Sequence, residues 1–127
     1  MESKKILIIE DEETLQKALT EYITAEKFEV TSALDGEKGL QMAKEQSPDL
    51  ILLDIILPKM DGFKVLEEIK KDPKTKNIPV ILLTNLESPE DIQKAFEKGA
   101  TTYLVKSDFK LEEVVEKIKE AIKKYEN

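Results

Sequence analysis

Apolar runs of strand length alternate along the chain with stretches whose apolar residues fall at helical spacing. Ile6-Leu7-Ile8-Ile9, Leu50-Ile51-Leu52-Leu53 and Val80-Ile81-Leu82-Leu83 are unbroken, which suits strands buried on both faces of a parallel sheet. Phe28-Glu29-Val30-Thr31 alternates, and Thr102-Tyr103-Leu104-Val105 mixes polar with apolar, so both read as edge strands. Leu15, Ala18, Leu19, Tyr22 and Ile23 form one helical stripe. Val65, Leu66 and Ile69 form a shorter one, as do Ile92, Ala95, Phe96 and Gly99. The clearest is Leu111, Val114, Val115, Ile118, Ala121, Ile122 and Tyr125, a face better suited to covering a sheet than to a dimer seam. Residues 35–46 are looser, with Leu40, Met42 and Ala43. Punctuation agrees with this division. Asp35-Gly36 can open a helix, and Ser88-Pro89-Glu90-Asp91 offers a cap, a proline at the first helical position and acids in the first turn.

The elements repeat as strand-then-helix five times. Such alternation predicts an α/β fold, a doubly wound three-layer sandwich around a five-stranded parallel sheet with right-handed crossovers. Three central strands between two edges fit the order 2-1-3-4-5. No linker, repeat or low-complexity stretch interrupts residues 1–127, which read as a single domain without an output domain. Met1-Glu2-Ser3-Lys4-Lys5 is followed by only four apolar residues before Glu10, too few for a signal-peptide core. The expectation is a cytoplasmic protein with no membrane insertion.

Composition narrows the chemistry. The 127 residues carry 27 carboxylates against 20 Lys and Arg, a formal charge of −7, with no His, Cys or Trp. Disulfides, zinc–thiolate sites and thiol nucleophiles are excluded, and so is Ser–His or Cys–His catalysis. A net negative chain is a poor partner for nucleic acid, which requires clustered positive charge. Carboxylates therefore have to carry the chemistry.

Ligands of open α/β sheets sit outside the carboxyl ends of the strands, at the switch in strand order. There the first strand ends in Glu10-Asp11, the third in Asp54, the fourth in Thr84 and the fifth in Lys106. Taken singly, each has a structural reading. Glu10-Asp11-Glu12-Glu13 can be an acid-rich helix start, Lys106 a counterion for Asp54, and Thr84 a β-branched strand residue. Asp54 resists this, because it lies between Leu50-Ile51-Leu52-Leu53 and Ile55-Ile56-Leu57, where an uncompensated charge is costly. Crowded carboxylates raise one another's pKa, and a divalent cation relieves the conflict. Hard oxygen donors suit Mg²⁺. A carboxylate nucleophile, a metal, a Lys and a hydroxyl together can form and hold an acyl phosphate.

Four stretches in this order resemble the receiver domains of two-component response regulators: Ile6 to Asp11, Leu50 to Gly62, Ile78 to Thr84 and Gly99 to Lys106. The resemblance implies a flavodoxin-like, chemotaxis-regulator-like single domain acting as a phosphoacceptor in a phosphorelay. It makes Asp54 the phosphoacceptor and has Glu10, Asp11, Asp54 and the backbone carbonyl of Ile56 hold Mg²⁺. Thr84 and Lys106 would bind the phosphoryl group, and Tyr103 would turn inward as Thr84 moves. The implied partners are a sensor histidine kinase or His phosphotransfer protein and an unknown downstream protein. The read-out surface would be the fourth helix, fifth strand and fifth helix of a monomer or weak dimer. The missing His then belongs to the donor, and the receiver would be a signalling module rather than an enzyme, assisting its own phosphorylation.

Several positions depart from the family pattern. Glu10 stands where Asp is usual, and Asn85 where Ala or Gly is usual, narrowing access to the phosphoryl pocket. Ser107 replaces the usual proline, so Lys106–Ser107 is expected to be trans or a strained cis bond, with a shifted loop before the last helix. Ile56 and Leu86 leave the mouth apolar, which predicts slow hydrolysis of the phosphorylated form. Ile56 also argues against an aspartyl-phosphate phosphohydrolase, which wants a second acid there. The acids after the first strand argue against a flavin or dinucleotide carrier. Intact Asp11, Asp54, Thr84 and Lys106 disfavour a phosphorylation-independent docking module.

Overall fold

Strict alternation along the unbroken apolar runs decides how the layers assemble. The computed structural model describes residues 3–125; Met1 and Glu2, which open the segment weighed above against a signal peptide, and the side chain of Tyr125, the last of the long apolar stripe, lie outside it. The elements are β1 (Lys5–Ile9), α1 (Glu13–Ala25), β2 (Glu29–Ala33), α2 (Gly36–Gln46), β3 (Leu50–Leu53), α3 (Gly62–Lys71), β4 (Val80–Thr84), α4 (Pro89–Glu97), β5 (Thr102–Val105) and α5 (Leu111–Tyr125). All strand pairs are parallel, in the order β2-β1-β3-β4-β5. The predicted doubly wound fold and its strand order are therefore observed.

Register aligns the faces. Ile6 pairs with Leu50 and Ile8 with Leu52, which in turn pairs with Ile81. These residues build one core layer with Leu19 and Ile23 of α1 and with Val114, Val115 and Ile118 of α5. Leu7, Ile9, Ile51, Leu53, Val80 and Leu82 point the other way, into a layer with Leu40 and Ala43 of α2, Val65, Leu66 and Ile69 of α3, and Ala95 of α4. Each fully buried Leu or Ile contributes roughly 1.5–3 kcal/mol through removal from water. Two-sided burial of the central strands is thus the main source of stability. Among the described residues no helix is long and apolar enough to cross a membrane.

Three local readings shift. β2 runs two residues further than the alternation suggested, because it pairs with β1 from Lys5↔Glu29 to Ile9↔Ala33. The two added residues are Ser32, which is exposed and carries no apolar signal, and the small, buried Ala33, while Phe28 packs on the α1/α5 layer from outside the strand. Tyr22 and Phe96, placed on buried stripes, are 45% and 47% exposed. Each stripe is wider than the strip of sheet its helix covers. Gly99 is not on a helix face but past the end of α4, at φ 104°. There Gly99 N–H reaches Phe96 O (3.1 Å) and Ala100 N–H reaches Ala95 O (3.0 Å), a left-handed helix stop that favours glycine.

α4 has a single fully buried side chain, Ala95, and polar ties to α3 hold it in addition. Lys94 Nζ lies 4.3 Å from the centre of the Phe63 ring, and Lys98 pairs with Glu67. The Lys106–Ser107 bond is trans, within the predicted alternatives, and Lys106–Asp108 form a 3₁₀ turn leading towards α5.

The loop from β3 to α3 is clamped from two sides. Lys59 at φ 68° and the Met60 N–H to Pro58 O bond (2.8 Å) form a γ-turn. Gly36 opens α2 by donating to Pro58 O at 3.2 Å. Gly62 donates to Ile55 O at 2.7 Å, and a Cβ on it would sit 2.2 Å from Asp54 O. Only glycine allows that approach. Gly62→Ala is therefore expected to lower stability by about 1–3 kcal/mol, the usual cost of overpacking a tight site, measured as a shifted urea midpoint with unchanged slope.

Candidate functional site

Four strand ends deliver the predicted residues to one crest. Glu10 follows β1 and donates its N–H to Ala33 O at 3.0 Å; Asp54 follows β3 and donates to Ile9 O at 3.0 Å. These main-chain bonds extend the sheet by one residue and set the two carboxylates side by side. Both are buried, at 2% and 5% exposure. Lys106 enters from the end of β5. Its Nζ lies 2.9 Å from Glu10 Oε1 and 2.9 Å from Asp54 Oδ2, with Glu12 Oε2 at 3.5 Å.

The remaining carboxylate oxygens have backbone donors. Glu10 Oε2 accepts the N–H of Glu12 at 3.0 Å, and Asp54 Oδ1 accepts the N–H of Ile56 at 3.2 Å. Burial pushes the Glu10 pKa up, with the charge of Asp54 adding to it, while the Glu12 amide and Lys106 pull it down; the net direction is upward. Burial opposes the charge on Lys106, but its hydrogen bonds to Asp54 and Glu10 more than compensate and raise its pKa above the ordinary lysine value. The ammonium is therefore held firmly protonated.

Asp11 stands at the exposed rim. One carboxylate oxygen from each of Glu10, Asp11 and Asp54 lies within 4.8 Å of the others. A set of hard oxygen donors, two of them buried and sharing one ammonium, fits Mg²⁺ chemically. The charges argue the same way: the three carboxylates outnumber the one ammonium, that of Lys106, paired with them among the described residues.

Thr84 and Tyr103 form a second unit. Thr84 ends β4, fully buried, and its Oγ1 accepts the N–H of Leu86 at 3.4 Å. Tyr103 donates its hydroxyl to the carbonyl of the same Leu86 at 2.7 Å. One residue thus connects the hydroxyl at the end of β4 to the aromatic on β5. Burial, with the charges of Asp91 and Asp54, raises the Tyr103 pKa from 10.0 to about 12. Asn85 is exposed, and so is Ile56, at 56%. Two contributors were not singled out in the sequence. Glu12 was one acid in a run of four, and Gln16, whose amide bonds Glu10 O and Ala33 O, was only a polar residue on a helix. Their spacing from Asp11 was the available signal, and it is too common to act on.

Comparison with known proteins gives one family. The model described as response regulator receiver domain matches residues 6–119. Response regulator PleD of Caulobacter vibrioides is 43% identical over 104 residues, covering 82% of this chain and 23% of PleD. The chain thus spans under a quarter of that relative's length. Among solved structures, a CheY-like receiver domain protein from Methanospirillum hungatei superposes with TM-score 0.92 at 29% identity, covering 98% of each chain. The phosphorylated cyanobacterial phytochrome response regulator RcpA has TM-score 0.80 at 32% identity, covering 94% of this chain and 91% of its own.

Two measurements follow from this geometry. A phenol whose pKa is raised stays neutral in the folded state after it has begun to ionise in the unfolded one. Its stabilising share is complete below pH 10 and is lost as pH rises towards about 12. Denaturation across that window should show the loss in wild type, and Tyr103→Phe should lack the corresponding part. Secondly, adding Mg²⁺ is expected to raise the melting temperature, and Asp11→Ala to raise that of metal-free protein by a few degrees, both read by calorimetry.

Proposed function

This chain belongs to the response regulator receiver family, and on that premise we propose that it is a switch phosphorylated at Asp54 by a partner's histidine. The observation that carries the proposal is a buried aspartate 2.9 Å from a protonated lysine, with two further carboxylates in reach of a shared cation. Glu10, Asp11, Asp54 and the Ile56 carbonyl would hold Mg²⁺. Bound there, the ion would supply charge neutralisation for the oxygens of a transferring phosphoryl group.

The chain's own residues do the rest. An Asp54 carboxylate oxygen attacks phosphorus, the bond to the donor nitrogen breaks, and the imidazole departs with that electron pair. Lys106 orients Asp54 beforehand and then pairs with a phosphoryl oxygen, so the ammonium has an anionic partner throughout. The apolar strand residues beneath keep water from the floor of the site.

Thr84 provides the read-out. Turning its hydroxyl towards a phosphoryl oxygen releases the Leu86 N–H, and Tyr103 is attached to the other side of that residue. The signal would pass along β4–α4 to the surface of α4, β5 and α5, where a downstream protein binds. A sensor histidine kinase or a His phosphotransfer protein is the proposed donor. A solved neighbour is described in its phosphorylated form, which supports the reading by likeness.

Incubation with Mg²⁺ and acetyl phosphate should add one phosphoryl group by intact mass. Asp54→Asn should abolish the adduct, and a persistent adduct in that variant would overturn the assignment. Exposed Ile56 and half-buried Leu86 offer nothing to orient an attacking water. The phosphorylated form should decay slowly, and Ile56→Asn with Leu86→Glu should shorten its half-life severalfold.

A further inference from the structure

The side chain of Gln16, on α1, is used by none of the chemistry above. Its Nε2 lies 3.0 Å from Glu10 O and 3.1 Å from Ala33 O, so each amide hydrogen goes to a different carbonyl. Ala33 O also accepts the Glu10 N–H at 3.0 Å, and the Gln16 N–H bonds Glu12 O at 2.9 Å. Gln16 therefore grips the tract Glu10–Glu12 at both ends and ties it to the end of β2.

The carbonyl of Glu10 belongs to the peptide joining Glu10 to Asp11. Fixing it fixes the plane from which the Asp11 side chain departs. Asp11 is exposed at the rim, beside Glu10 and Asp54, whose like charges would push an unheld tract away from them. A neutral double donor resists the relaxation without adding a charge that would compete with a cation.

We propose that Gln16 is a positioning residue for divalent-cation binding, holding the Glu10–Asp11 peptide so that the three carboxylates stay convergent. The proposal rests on the reading of Glu10, Asp11 and Asp54 as a cation site. It goes beyond that reading in assigning the site's preorganisation to one helix side chain.

Calorimetric titration of the whole chain with Mg²⁺, beside melting of the metal-free protein, tests it. Gln16→Met keeps the length and removes both donors; it should weaken Mg²⁺ binding by about tenfold or more, as loss of an outer-shell partner does. Gln16→Glu adds a negative charge, which by attraction alone would tighten binding, but it has no hydrogens for the two carbonyls. It should also bind more weakly. Thr20→Val removes the 2.8 Å bond from Thr20 Oγ1 to Gln16 O in the same helix and should leave Mg²⁺ affinity unchanged. Unaltered affinity in Gln16→Met, tighter binding in Gln16→Glu, or an equal loss in Thr20→Val would each overturn the proposal. If wild type itself binds no Mg²⁺, the cation-site reading falls, and this inference falls with it. Should Gln16→Met melt too low to titrate, the sign of the Gln16→Glu effect still decides.

Discussion

The ammonium of Lys106, 2.9 Å from both Glu10 and Asp54, is the interaction on which the rest of this crest depends. Two carboxylates at the end of an apolar sheet are costly to bury unless opposed, because the surroundings solvate charge poorly. One cation between them offsets part of that cost. Removing one member of a buried ion group generally costs more than the intact group contributes, since the partner is left unpaired. Lys106 reaches the centre from the edge strand β5, so the same contact that neutralises the acids also ties the sheet's edge to its middle.

Strand alternation divides the crest into two halves. Glu10, Asp54 and Lys106 continue the positions of Ile8, Leu52 and Leu104, which face α1 and α5. Thr84 continues Leu82, and Tyr103 packs on the same opposite layer, towards α3 and α4. The charged group and the hydroxyl–aromatic pair thus sit on different sides of one sheet and meet only at the strand ends. A phosphoryl group on Asp54, as proposed, would lie where the two meet. The loop after β3 completes the frame, with Gly36 and Gly62 holding it by backbone contacts.

Much of this was legible in the chain. Unbroken runs such as Leu50 to Leu53 announce two-sided burial, and a polar residue directly after such a run can only be at a strand end. That logic reached Asp54 and Thr84 without coordinates, while Lys106 follows a mixed stretch and was placed only as the end of the fifth strand. It was weaker wherever polarity is ambiguous. Ser32 and Ala33 pair in β2 although the alternation stops at Thr31, because an edge strand with one wet face needs no apolar pattern. Tyr22 and Phe96 carry the hydrophobicity of core residues but flank the buried stripe. Gly99 matched a helical spacing, yet its role is a left-handed stop that spacing cannot express.

Sequence by itself determined the layers, the strand order and the identity of the groups at the crest, because burial period and residue chemistry are local properties of the chain. Only the tertiary structure decided the partners. It assigned the ammonium of Lys106 to Glu10 as well as Asp54, joined Thr84 to Tyr103 through Leu86, and gave both hydrogens of Gln16 to carbonyls at the ends of two different strands. Hydrogen bonds and ion pairs depend on distances of a few tenths of an ångström between residues far apart in the chain. Spacing along a sequence holds no record of those distances until the sheet has closed and set them.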